Sequence, residues 1–168
     1  EVLNGLRTIV QMEAQSKRLE LEVAQPALEH GEVCCDKLRL NQVLLNLLSN
    51  SVKYTGAGGT VSMRITEKSG APEGYAHYEF LIKDTGIGMS EEFVQHIFEP
   101  FERENNSTIS GIQGTGLGMA IAINIARMMN GDIGINSEVG KGSVFEVTVA
   151  LKKGAEEPAY IGGISMEE

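Results

Sequence analysis

The residues best suited to chemistry lie in two glycine-rich stretches and one polar helix stripe. The stretches are DTGIGM, from Asp84 to Met89, and QGTGLGMAI, from Gln113 to Ile121. Glycine lets the backbone approach a ligand closely and take φ > 0. The second stretch runs straight into an apolar helical pattern. A helix starting there points unpaired N–H groups and the positive end of its dipole at whatever lies in front, which is how a polyphosphate is held. The first stretch adds a carboxylate, Asp84, at the edge of a glycine turn. It can accept a hydrogen bond from the amino group of a purine, and Ile82, Ile87 and Met89 can wall the pocket around it. Gly86 and Gly88 would let the backbone lie against a base. Together the stretches point to a nucleotide site rather than a bare anion site.

The stripe lies on the segment CDKLRLNQVLLNLLSNSVKY. Asn46 and Asn50 share one helix face, with Lys53 and Tyr54 on the next turn. Asn50 can offer a side-chain oxygen to Mg²⁺, which takes a few protein oxygens plus phosphate and water. Lys53 can face phosphate as a point charge. Each feature has a plainer alternative. The stripe can be a solvated helix face, Asp84 an ordinary turn residue, and Gly114–Gly118 a loop with a helix cap. The two asparagines cost helix propensity, and that, beside the glycine stretches, favours the functional reading. Arg103, in the polar segment ERENNSTISGIQG, can swing onto a terminal phosphate. That segment lacks apolar periodicity and reads as a mobile loop. Phe98 and Phe101, flanking Pro100, read as its hydrophobic anchors.

These residues need a scaffold. Leu3, Leu6, Val10 and Met12 predict a first helix over residues 1–17. LELEVA (Leu19–Ala24) alternates like a half-buried strand, broken by Pro26 and Gly31. Asp36 is placed to cap the helix of the polar stripe, whose apolar side is Leu40, Val43, Leu44, Leu47 and Leu48 and whose end falls near Thr55. TVSMRITEK and YAHYEFLIKD predict a hairpin. Ser90 opens a short helix, a further helix spans about Gly116 to Met129, and DIGINSE and SVFEVTVAL close the fold. This order predicts a two-layer α/β sandwich with a mixed sheet. It does not fit a doubly wound dinucleotide fold, whose glycine fingerprint follows the first strand. The predicted domain is 1–152, with 153–168 a linker or tail.

The chain has 168 residues, 42% hydrophobic, and a net charge of -9. That supports one domain with a core. It argues against nonspecific binding of nucleic acid or anionic membrane. Any phosphate site must then rest on local donors. No apolar run has the length of a membrane span. A start at Glu1 without Met points to a piece excised from a longer protein. Cys34 and Cys35 are adjacent and lack zinc spacing, which favours reduced thiols in a cytosolic protein. His30, His77 and His96 fit no catalytic pattern, and no P-loop is present.

LNQVLLNLLSNSVKYT, DTGIGM, IFEPFER and GTGLGMAI, in that order, resemble the asparagine, first glycine, phenylalanine and second glycine boxes of bacterial sensor histidine kinases. These mark the catalytic domain of the GHKL ATPase group, with its Bergerat fold. The resemblance covers roughly Glu1 to Leu151. It implies Mg²⁺ on Asn50, with Asn46 the polar residue one turn before. It implies Lys53 near phosphate, Tyr54 near the base and Asp84 reading adenine, with Gly86 and Gly88 shaping that turn and Ile87 and Met89 among the ATP-binding residues. Arg103 resembles a lid arginine for the γ-phosphate. Gly114, Thr115, Gly116, Leu117 and Gly118 resemble the phosphate-holding loop. GKGSVF, from Gly140 to Phe145, resembles the last signature, with Ser143 holding a water against adenine. ATP and Mg²⁺ are the implied ligands.

Relatives that use water as acceptor, such as gyrase-type and mismatch-repair ATPases, carry a glutamate where this chain has Asn46. Asparagine cannot take a proton at neutral pH, so hydrolysis should be slow and the acceptor should come from elsewhere. Sensor kinases carry the accepting histidine on an upstream helical hairpin that this sequence does not show. The expectation is a domain that binds Mg-ATP, does not phosphorylate itself, and serves a dimerisation and histidine-phosphotransfer domain. A response regulator or receiver domain follows in such systems. The expected setting is cytoplasmic, within a parent that can be anchored in the inner membrane. Two alternatives stay open: a protein-serine kinase of the anti-sigma-factor type, and a nucleotide-sensing module without transfer activity.

Overall fold

The computed structural model describes residues 2–24, 33–34, 37–100 and 118–153. Helix α1 (Val2–Ser16) leads into β1 (Glu20–Ala24) and the short β2 (Val33–Cys34). Helix α2 (Lys37–Tyr54) precedes the hairpin of β3 (Thr60–Lys68) and β4 (Tyr75–Asp84). Helix α3 (Glu91–His96) follows, then α4 (Gly118–Met128), and β5 (Asp132–Glu138) with β6 (Gly142–Lys153) closes the fold. The sheet runs β1-β3-β4-β6-β2, with β5 also on β6. Only β1 and β3 are parallel among these pairs. The predicted two-layer sandwich with a mixed sheet is what the chain forms.

Alternation in the strands decides which face is covered. In β4 the even-numbered residues from Ala76 to Asp84 are buried, while His77, Glu79 and Leu81 are half-buried and Lys83 is exposed. The buried face meets α2, whose Leu40, Val43, Leu44, Leu47 and Leu48 are at most 1% exposed. Ala122, Ile123 and Ala126 of α4 pack beside them, and Leu6, Val10 and Ala14 of α1 complete the layer. Burying one such leucine is worth roughly 1.5–3 kcal/mol.

Some expectations shift. Met12, expected on the apolar side of α1, is 71% exposed, and Ala14 takes the buried position. The sequence reading placed no strand at Val33–Cys34; a two-residue strand is too short to show periodicity. Strand β6 runs through Lys153, one residue into the expected tail. Asp36, Cys35, His30, Phe101 and residues 154–168 lie outside the described residues, as does the side chain of Leu3.

The buried ends of α2 and the sheet make a simple contrast testable. Leu47→Ala is expected to lower unfolding free energy by about 2–5 kcal/mol, whereas Leu38→Ala, at a 78% exposed site of the same helix, should change it by less than ~0.5 kcal/mol. Urea denaturation of both variants measures the difference.

Candidate functional site

Strand register places the site's polar residues side by side. One row across the buried face reads Val23, Met63, Ile82, Phe145 and Ile135, all apolar. The row at the end of the sheet reads Leu21, Val61, Asp84, Ser143 and Ser137. The core therefore turns polar at one edge, on β4, β6 and β5. Asp84 is 5% exposed and Ser143 is 6% exposed.

A carboxylate cannot be buried without donors. The N–H of Gly86 donates to Asp84 Oδ1 at 2.9 Å, and the N–H of Ser143 donates to the same oxygen at 3.3 Å. The Ser51 hydroxyl of α2 lies close enough to favour the charged form, yet among the described residues its Oγ has no formed hydrogen bond. Burial is the larger influence and raises the Asp84 carboxyl above its ordinary value of 3.8, with the two N–H donors and the nearby Ser51 hydroxyl opposing it. Oδ2 takes no hydrogen bond from a described residue. The site thus presents one saturated carboxylate oxygen and one open acceptor.

The glycine turn after Asp84 is fixed from two sides. Ile87 N–H donates to the Tyr54 carbonyl at 3.1 Å, and Ile87 O accepts from Gly140 N–H at 2.8 Å. Gly86 packs so closely that a Cβ would stand 2.4 Å from the Tyr54 carbonyl oxygen and 2.9 Å from Asp84 Oδ1. Gly88 has φ 69, and a Cβ there would meet the Glu138 carbonyl oxygen at 2.0 Å. Both glycines are therefore required by space, and Gly88 by conformation as well. Ile87 is 41% exposed and Met89 is half-buried.

Helix α2 reaches the same region. Asn46 and Asn50 are half-buried, Tyr54 is half-buried and Lys53 is exposed. Asn46 Nδ2 donates to the carbonyl of Gly118, the first residue of α4, at 3.2 Å. This bond joins the asparagine helix to the end of the second glycine stretch. Arg103 and Gly114 to Leu117 lie outside the described residues. No cluster of three His, Cys, Asp or Glu side chains suited to a metal occurs among the described residues. No helix among them is long and apolar enough to cross a membrane.

Sequence reasoning missed Ser137. Its Oγ accepts from Met89 N–H at 2.8 Å and lies 2.7 Å from Ser143 Oγ and 3.1 Å from the Gly142 carbonyl. It thereby ties the far end of the glycine turn to Ser143. The sequence reads DIGINSE and SVFEVTVAL only as two closing strands; it is their antiparallel pairing that sets Ser137 directly opposite Ser143.

Comparison with known proteins places the chain in a family. Residues 35–153 match the model of the histidine kinase-, DNA gyrase B- and HSP90-like ATPase family. The chain belongs to that family. The autoinducer 2 sensor kinase/phosphatase LuxQ of Vibrio vulnificus strain CMCP6 is 34% identical over 155 residues, covering 92% of this chain and 18% of LuxQ. The peroxide stress-activated histidine kinase mak2 of Schizosaccharomyces pombe is 42% identical over 129 residues, covering 76% of this chain and 5% of mak2. The chain thus spans a small part of these curated relatives, and they are not confined to bacteria. Full-length ShkA, crystallised with AMPPNP, superposes with a TM-score of 0.77 at 28% identity, over 92% of this chain and 30% of that one. The mycobacterial sensor histidine kinase MprB shares the fold, with a TM-score of 0.72 at 22% identity over 91% of this chain and 95% of that one.

Asp84→Asn tests the open acceptor. The two N–H donors would hold the amide oxygen in the Oδ1 position, leaving an NH₂ where the expected purine amine would donate. ATP is expected to bind roughly tenfold to a hundredfold more weakly by titration calorimetry. Stability should respond in the opposite sense. The folded state keeps the Asp84 proton to a higher pH than the unfolded chain, so stability is lost as pH rises from 3.8 through the raised folded value. Asp84→Asn should remove that loss and hold or raise Tm near neutral pH.

Proposed function

We propose that this chain is the ATP-binding catalytic domain of a sensor histidine kinase. It would bind Mg-ATP and donate the γ-phosphoryl group to a histidine on a separate dimerisation and phosphotransfer domain. The observation that carries this reading is the buried Asp84 carboxylate, one oxygen saturated by backbone N–H groups and the other open, beside the last turns of α2, the helix that bears the asparagine stripe. The family match and the sensor-kinase relatives support the same reading.

In this account the open oxygen of Asp84 accepts from the exocyclic amine of adenine. Ser143 and the buried Ser51 hydroxyl offer polar atoms for a water on the base edge. Gly86 and Gly88 allow the base to lie on the turn, between the walls of Ile87, Met89 and Tyr54. Asn50 would hold Mg²⁺ through its neutral side-chain oxygen, beside the phosphate and water oxygens that this ion favours. The ion would neutralise charge on the β- and γ-phosphates. On the sequence resemblance, Lys53 and Arg103 would add cations and Gly114 to Gly118 would add N–H donors toward the phosphates.

The absence of a carboxylate at Asn46 bears on the acceptor. Its amide is committed to the Gly118 carbonyl, and no general base for water stands at that position. Transfer to an acceptor bearing its own base follows, chiefly by positioning and electrostatics. Receiver domains, reached after the histidine, are the expected next recipients.

Two assays test this. Asn50→Ala should abolish the gain in ATP affinity conferred by Mg²⁺ while sparing affinity measured in chelator. With γ-labelled ATP, label should reach an added histidine-hairpin domain of a relative and not remain on this chain. Stable label on the chain alone, or acid-stable phosphoserine on the partner, would establish a different acceptor chemistry.

A further inference from the structure

The C-terminal end of α2 meets an unusual set of partners. The last four carbonyls of a helix have no partner within it, and here these belong to Ser51, Val52, Lys53 and Tyr54. The Ser51 carbonyl accepts from the Thr55 hydroxyl at 2.6 Å. The Tyr54 carbonyl accepts from Ile87 N–H of the glycine turn. The two between, Val52 and Lys53, both accept from the ammonium of Lys17, at 2.6 Å and 2.8 Å. Lys17 follows the last residue of α1 and lies outside residues 35–153 matched by the family model.

The chain around Lys17 is shaped for this contact. Arg18 takes φ 58 and reverses the backbone directly after it, a conformation uncommon for a residue with a side chain. The Arg18 carbonyl then accepts from Gly58 N–H, and Glu20 N–H donates to the Gly59 carbonyl, each at 3.0 Å. The α1–β1 corner therefore grips both the end of α2 and the glycine loop that leaves it. A cation at this end also meets the negative end of the helix dipole.

Resting on the nucleotide reading above, we infer that Lys17 is a positioning residue for the base half of the site, acting through the last turn of α2. The Tyr54 carbonyl fixes Ile87 and touches Gly86, and the Gly86 N–H holds Asp84. Without the ammonium, two carbonyls next to Tyr54 lose their partner and that turn can fray. The fraying would displace the carbonyl on which the glycine turn is hung.

The test titrates ATP and adenosine into the 168-residue chain and three variants. Lys17→Met should raise both dissociation constants roughly fivefold or more, the low end of coupling between distinct sites. Lys17→Arg, which keeps two donors and the charge, should restore most of the affinity. Val10→Ala, a core change in α1 at a 1% exposed site, should lower Tm without changing the dissociation constants. A second measurement uses the unaltered chain. By reciprocity, saturating ATP should slow trace reductive methylation of the Lys17 amine relative to Lys68 on the opposite sheet face. Equal affinity in Lys17→Met and wild type, a loss matched by Val10→Ala, or unchanged Lys17 labelling would overturn the role. Failure of the wild-type chain to bind ATP at all would instead remove the nucleotide reading on which the role rests.

Discussion

The rest of this structure depends on keeping one carboxylate, Asp84, at the end of an apolar sheet face. Burial raises its pKa and penalises its charge. Donors must therefore come from parts of the chain far apart in sequence. Gly86 supplies one N–H from the next turn, Ser143 supplies another from β6, and α2 brings the Ser51 hydroxyl. Three elements have to converge within a few ångströms before the group is tolerable. The same convergence leaves one oxygen open, so the structural solution and the chemical feature are one arrangement.

Helix α2 serves both sides of that arrangement. Its leucines fill the layer between sheet and helices, while Asn46, Asn50 and Lys53 run along a separate stripe. The packing fixes the stripe, because a rotation that moved Asn50 would expose Leu44 or Leu48. Its last turn carries the glycine turn through the Tyr54 carbonyl. Precision at Asp84 is thus inherited from the core through a short series of backbone bonds. Such a series tolerates little volume change, as the contacts of a Cβ at Gly86 or Gly88 make plain.

Much of this was legible in the chain. The leucine spacing from Leu40 to Leu48 gave α2 and its end within a residue or so, since a strong 3.6 period leaves little ambiguity. YAHYEFLIKD gave β4, while the buried side of Asp84 came only with the observed alternation of that strand. The β3–β4 hairpin followed from the glycine and proline punctuation of its loop. What escaped was carried by backbone atoms or by very short pairing. Strand β2 exists only because β6 is long enough to pair beyond β5. Ser137 reads as an ordinary strand serine until register sets it beside Ser143. Lys17 reads as a solvated residue after a helix, because its partners are main-chain carbonyls that any sequence at Val52 and Lys53 would supply. Arg103 and Gly114–Leu117 fall outside the described residues, so their roles rest on the sequence resemblance and the family.

A crystal structure of the chain with a non-hydrolysable ATP analogue and Mg²⁺ tests the central claim most directly. The account predicts the exocyclic amine of adenine within hydrogen-bonding distance of the Asp84 carboxylate, with the Gly86 and Ser143 N–H groups still on the other oxygen. An analogue bound with its base away from Asp84, or with Asp84 turned toward solvent, would contradict it.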